Sequence, residues 1–110
     1  MRPHNSGHWT QDGAVTSQFE QHLRAVLDLP LGDAGATAPW TVMMNILGGP
    51  SEGPLDARYV SAMSAVPHAK IHNYGKDPRP GRKVGHINVT GEVLDDVTYD
   101  AREAAAAFQD

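Results

Sequence analysis

His4-Asn5-Ser6-Gly7-His8 packs two imidazoles, an amide, a hydroxyl and a glycine into five residues, a dense set of donors and acceptors that titrates near neutral pH. Pro3, Gly7 and Gly13 mark this stretch as loop, and loops held by a rigid scaffold are where binding groups usually sit. A solvated N-terminal tail is the plainer reading of the same residues. Farther along, Lys76-Asp-Pro-Arg-Pro-Gly-Arg-Lys83 sets Lys76, Arg79, Arg82 and Lys83 against one acid, Asp77. This is a local excess of positive charge on a body of net charge −4. Two prolines stiffen it, so guanidinium forks and ammonium groups are pre-placed for a phosphate, each contact adding roughly 1.5–3 kcal/mol. The alternative is a solvated basic turn.

Other chemistries find less support. His4 and His8 are four apart, as are His68 and His72, a spacing that aligns two imidazoles only on a helix. Pro3 and Gly7 oppose helix at the first pair, and His72 falls in an expected strand. With no cysteine and no His-Glu-x-x-His pattern, no metal site is expected. Nucleic acid is not an expected partner, because Tyr74 is the lone aromatic beside the basic turn and the acidic body repels a polyanion. His22 reads as a packed or surface residue of a helix, and His86 as a satisfied core histidine. No Walker-type phosphate loop or Gly-x-Ser-x-Gly elbow is present.

The elements that must position these segments follow from periodicity. Ser17 and Glu20 have capping-box spacing. Behind them Phe19, Leu23, Val26 and Leu27 form one apolar stripe, which Pro30 and Gly32 stop. A small-residue linker over 33–39 leads to Trp40–Leu47, whose residues Trp40, Val42, Met44 and Ile46 share one face of a strand. Gly48-Gly49-Pro50 ends it. Pro54 can occupy the first turn of a short helix carrying Leu55, Tyr59 and Met63. Ala69–Tyr74 and Lys83–Thr90 read as two strands joined by the exposed basic turn. From about Asp95 an alanine-rich helix presents Val97, Ala101, Ala104 and Phe108. The fold class is α+β, and 110 residues allow one small domain's worth of core. No apolar run is long enough for a bilayer, so neither a membrane nor a targeting role is expected. The absence of cysteine fits a cytoplasmic setting.

Two blocks carry a family resemblance. Arg2-Pro-His-Asn-Ser-Gly-His-Trp-Thr10 with Gly13-Ala-Val-Thr-Ser-Gln-Phe-Glu-Gln-His-Leu-Arg-Ala25 is the first. Tyr74-Gly-Lys76 with Arg79-Pro-Gly-Arg-Lys-Val-Gly-His-Ile-Asn88 is the second. In order and spacing they resemble the 5-(carboxyamino)imidazole ribonucleotide synthases, ATP-grasp enzymes of purine biosynthesis also called the ATPase subunit of phosphoribosylaminoimidazole carboxylase. The match runs clearly through both blocks and loosely through the rest.

The resemblance implies an ATP- and Mg²⁺-dependent carboxylation of 5-aminoimidazole ribonucleotide by bicarbonate. It places His4 as the catalytic residue, with Asn5 and Ser6, where aminoimidazole and carboxyl donor meet. It puts Lys76 and Arg82 on the ribonucleotide phosphate, with Arg79 and Lys83 as helpers. It implies that residues 1–32 are the end of the ATP-grasp domain and that 39–110 are the small C-terminal domain, a partial barrel-sandwich hybrid with flanking helices. The nucleotide clamp and metal ligands of the family precede the segment seen here. ATP, Mg²⁺ and turnover are therefore expected of the intact enzyme and not of this chain alone, with the missing ATP-grasp domain as its partner and a homodimer as the typical assembly. A non-catalytic interaction module that pairs through its exposed apolar helix faces is the alternative.

Overall fold

In the computed structural model, which describes residues 2–110, the chain begins with a 3-10 turn over Asn5–Gly7 and a single helical turn α1 (Thr10–Gly13). It continues through α2 (Gln18–Val26), β1 (Trp40–Leu47), a second 3-10 turn (Leu55–Arg58), α3 (Tyr59–Ala65), β2 (Lys70–Asn73), β3 (Lys83–Gly91) and α4 (Leu94–Ala106). Met1, the first residue of the expected N-terminal loop, lies outside the described residues. The α+β expectation is met: the strands form one antiparallel sheet in the order β1-β3-β2, with β3 central.

The register makes the two faces of the sheet chemically different. On one face Val42 opposes Val89, and Met44 and Ile71 flank Ile87. This is the face that α4 covers, and Val97, Ala101, Ala104 and Phe108 are all buried there as their spacing foretold. Gly91 lets that helix approach, since a Cβ there would strike the Val97 side chain. On the other face the pairing aligns Asn45, His86 and His72 in one row and Met43, Asn88 and Lys70 in the next. A strand's side chains alternate, so this second, polar face turns toward the N-terminal segment.

Three expectations are corrected. The linker over 33–39 is not loose: Val15 N–H donates to Gly35 O at 2.9 Å, Thr37 N–H to Gly13 O at 2.8 Å and Thr37 Oγ1 to Asp12 O at 2.9 Å. Small residues allow that close stitching to the N-terminal segment. Ser17 caps α2, accepting from Glu20 N–H at 3.2 Å, but Glu20 does not reach back; its carboxylate pairs with Arg24 at 2.6 Å instead. In the short helical stretch Pro54 precedes the first turn rather than joining it, and Ala62 and not Met63 is buried. The 3-10 start shifts the helix phase by part of a turn.

The apolar stripe of α2 meets no core. Leu23, Val26 and Leu27 are each more than half exposed, as are Leu29 and Leu31 after the helix. The radius of gyration, 14.8 Å, exceeds the ~13 Å expected of a compact chain of this length, because α2 stands off the sheet.

Candidate functional site

The polar loop is folded, which overturns its reading as a solvated tail. Gln18, the first residue of α2, grips His4 through both backbone groups. His4 N–H donates to Gln18 Oε1 at 3.0 Å, and Gln18 Nε2 donates to His4 O at 2.7 Å. The same amide nitrogen lies 2.6 Å from His8 Nδ1. Gly7 is required beneath this grip, since a Cβ there would collide with the Gln18 amide. His4 is exposed and its ring caps the turn, Nδ1 accepting from Ser6 N–H at 3.2 Å with Ser6 Oγ at 3.0 Å. With Nδ1 accepting, the neutral ring carries its proton on Nε2, so His4 offers a donor outward. Asn5 Oδ1 is buried with no partner.

His8 turns inward and brings the two predicted segments together. Its ring lies 5.2 Å from Phe19, 5.4 Å from His86 and, edge-on, 6.4 Å from Tyr74. Lys76 Nζ sits 5.9 Å from the centre of the Tyr74 ring, within cation–π range. Burial holds the His8 pKa below its ordinary value, helped by the nearby charge of Lys83 and then by His4 and His72. His4, His8, Tyr74, Lys76 and Lys83 thus share one neighbourhood.

The other two cations of the basic turn are placed differently. Arg82, half-buried, donates from Nη1 to Asp77 O at 3.3 Å and braces its own turn. Arg79 lines a separate groove of about 510 Å³ with Gly48, Gly49, Ser51 and Asp110. Among the described residues, none of Lys76, Arg79, Arg82 and Lys83 forms an ion pair with a carboxylate, so these charges remain open to an anionic ligand.

Under the loop lies a set of polar side chains that sequence reasoning passed over. Asp12 Oδ2 accepts from Asn88 Nδ2 at 2.8 Å and lies 2.6 Å from His72 Nε2. Asn88 Nδ2 also reaches His8 O at 3.2 Å. His86 is only 1% exposed, in the core as foretold, but it is not fully satisfied as expected: Nδ1 is 2.6 Å from Tyr74 Oη, while among the described residues Nε2 has no partner. Burial foremost, and the neighbouring His72 and His8, push its pKa down to about 4, so it stays neutral beside the phenol. Burial raises the Tyr74 pKa and keeps that proton on oxygen. The available signal was the pairing of two histidines at one cross-strand position, legible only once strand register is known. His68, the fourth member of the spacing pairs, lies 3.2 Å from Asp100, apart from this set.

Comparison with known proteins agrees with this architecture. Residues 41–100 match the family model described as the phosphoribosylaminoimidazole carboxylase C-terminal domain. The N5-carboxyaminoimidazole ribonucleotide synthase of Mycobacterium tuberculosis is 57% identical over 107 residues, which is 96% of this chain and 25% of that protein. The chain thus spans about a quarter of the length of the curated relatives it matches. Among solved structures, the synthetase from Thermotoga maritima superposes with a TM-score of 0.84 at 37% identity, over 98% of this chain and 30% of that one. The synthase from Aspergillus clavatus, in complex with ADP and 5-aminoimidazole ribonucleotide, superposes with a TM-score of 0.77 at 40% identity, over 94% and 28% respectively.

Proposed function

The chain belongs to the phosphoribosylaminoimidazole carboxylase C-terminal domain family, and from that membership we propose that it is the ribonucleotide-binding C-terminal part of an ATP-dependent carboxylating ligase. The reaction joins bicarbonate to the exocyclic amine of 5-aminoimidazole ribonucleotide at the expense of ATP. One observation carries the assignment to these residues: His8 packs edge-on against the Tyr74 ring that also bears Lys76. A polar loop and a basic turn 70 residues apart in sequence therefore share one surface.

On that surface Lys76 and Arg82 hold the ribonucleotide phosphate, supported by Lys83 and Arg79. Lys76 and Lys83 supply point charges, and Arg82 supplies the planar fork that suits phosphate oxygens. His4 stands at the amine end as the catalytic residue. Its outward Nε2–H donates to the carboxyl oxygen that gains charge as the new bond forms, and Asn5 and Ser6 fix the turn that aims it. ATP supplies the activating phosphoryl group when bound, and it belongs with Mg²⁺ to the part of the relatives that this chain does not cover. Among the described residues no group of three or more His, Asp or Glu side chains is arranged to hold a metal ion.

Residues 1–32 act as the end of the ATP-grasp domain and 39–110 as the small C-terminal domain. The exposed Leu23, Val26 and Leu27 of α2 support that division, since a stripe of this kind is buried in a complete domain. The same exposure favours the second reading, a module that pairs through this face with another chain or with its own copy. Sedimentation separates the two: a monomer at high concentration counts against the pairing module. No described helix is long and apolar enough to cross a membrane, and a cytoplasmic, homodimeric parent enzyme completes the proposal.

A two-dimensional amide NMR titration of this chain with 5-aminoimidazole ribonucleotide tests the assignment. Selective shifts at residues 4–8 and 76–86 are the expected result. In an intact relative, Lys76→Ala and Arg82→Ala at the matching positions should raise the apparent KM for the ribonucleotide, and an unchanged KM would sink the assignment.

A further inference from the structure

Asp12 and Lys76 are 64 residues apart in sequence, yet an unbroken run of contacts joins them. The Asp12 carboxylate lies 2.6 Å from His72 Nε2. The His72 ring stacks on His86 at 4.5 Å and 17°. His86 Nδ1 lies 2.6 Å from the Tyr74 hydroxyl, and the Tyr74 ring carries the Lys76 ammonium. Asn88 adds a second tie at the far end, donating to both Asp12 Oδ2 and His8 O. Apart from the exposed Lys76, these groups are buried or half-buried.

We propose that Asp12, His72, His86 and Tyr74 form a rigid strut that sets the spacing between the His4–His8 loop and the Lys76–Lys83 turn. Asp12, His72 and Tyr74 are positioning residues, which act on the ligand through the loops they hold. The reason lies in the packing. The polar loop enters the sheet from an N-terminal segment whose α2 has no buried residue, so little apolar packing fixes its place beyond Ala14 and the His8–Phe19 contact. The basic turn is rich in proline and glycine, with Gly75 and Gly81 at positive φ (both 74°), so its own backbone does little to fix where it sits. What ties one to the other is the polar row on the face of the sheet opposite α4. A half-buried carboxylate shared by His72 and Asn88 and a ring stack are directional, so they define one distance where hydrophobic contact would tolerate several. That this distance matches a ribonucleotide rests on the function proposed above; the strut itself does not.

The test uses that independence. The chain has no cysteine, so Gln11→Cys in α1 and Asp77→Cys in the basic turn, both exposed, accept two spin labels at defined places. Pulsed electron double resonance should give one narrow distance distribution. Asp12→Ala at one end and Tyr74→Phe at the other should each widen it at least twofold. His72→Gln, which keeps a donor toward Asp12, should widen it less than His72→Leu. In titrations, Asp12→Ala should weaken the ribonucleotide about tenfold and leave inorganic phosphate unchanged. A purely structural defect would instead lower both. Should Asp12→Ala fail to fold, Tyr74→Phe decides, because it removes one hydroxyl and leaves the apolar core intact. A broad distribution in the parent chain, or an unchanged width in folded Tyr74→Phe, overturns the strut. A narrow, strut-dependent distribution in a chain that binds no ribonucleotide leaves the strut standing and overturns the functional assignment alone.

Discussion

The rings of His72 and His86, on adjacent strands at one cross-strand position, stack with centroids 4.5 Å apart and planes 17° from parallel. Such a stack excludes two positive charges. Asp12 stands beside His72, with the carboxylate 2.6 Å from Nε2, while His86 is sealed and held down to about 4 by burial, with His72 and His8 adding to the effect. The buried ring therefore stays neutral beside the Tyr74 hydroxyl.

Stability should consequently depend on pH through His86. The unfolded chain binds this proton near 6.5, whereas the folded chain binds it only near 4. Stability is then fully present above about 6.5 and is lost as the pH falls toward 4, by up to about 3 kcal/mol. The depressed His8 acts in the same direction. Urea denaturation of the chain at pH 7.5, 5.5 and 4.5 should show a falling midpoint, and His86→Asn should flatten most of that slope between 6.5 and 4. A slope that survives the substitution would place its origin elsewhere.

Phe108 is fully buried, edge-on to Tyr59 at 6.1 Å, in a core otherwise made of aliphatic and alanine side chains. In so small a core little can collapse into the space it leaves. Phe108→Ala should cost about 3–5 kcal/mol, a large share of the ~5–15 kcal/mol typical of a domain. Loss of a cooperative thermal transition, or a midpoint lowered by well over 10 °C, is the expected readout.

The parts legible in the sequence are those governed by local pattern. Trp40, Val42, Met44 and Ile46 repeat at strand spacing, and Val97, Ala101, Ala104 and Phe108 repeat at helical spacing; β1 and α4 lie where these patterns put them. Ser17 was readable because a cap is a local bond. The polar row was not, because Asn45, His86, His72 and Asp12 come from four segments and meet only through strand register and the docking of α1. His86 alone reads as a core histidine, and Asp12 as a loop acid between Gln11 and Gly13. The two loops were legible as a polar segment and a basic turn, but which of Lys76, Arg79, Arg82 and Lys83 braces its own backbone was not. Whether a cation faces the ligand or its own backbone depends on a turn geometry that two prolines and a glycine leave undetermined.

Leu23 on α2 is 59% exposed, so its side chain contributes little to folding of this chain. Leu23→Lys should change stability by no more than about 0.5 kcal/mol, with the new charge in the C-terminal half of the helix, where the dipole favours a cation. It should also reduce any concentration-dependent sedimentation. At the matching position of a full-length relative the same change should destabilise strongly, because there an unpaired charge enters an apolar contact. Equal, small effects in both proteins would refute the assignment of this face to the rest of a larger domain.

Lys76 and Arg82 should separate by experiment although both are assigned to the phosphate. Lys76 is exposed, with its ammonium 5.9 Å from the centre of the Tyr74 ring. Lys76→Ala should therefore leave stability within about 0.5 kcal/mol of the parent and weaken ribonucleotide binding about tenfold to a hundredfold, the loss of one charge-assisted contact. Arg82 also holds the Asp77 carbonyl, so Arg82→Ala should both weaken binding and loosen the turn, visible as faster amide hydrogen exchange at residues 76–82. Arg82→Lys keeps the charge but not the planar fork. It should restore part of the affinity without restoring the exchange protection. If Lys76→Ala and Arg82→Ala raise exchange equally, Arg82 does not brace the turn, and its half-buried guanidinium serves the ligand alone.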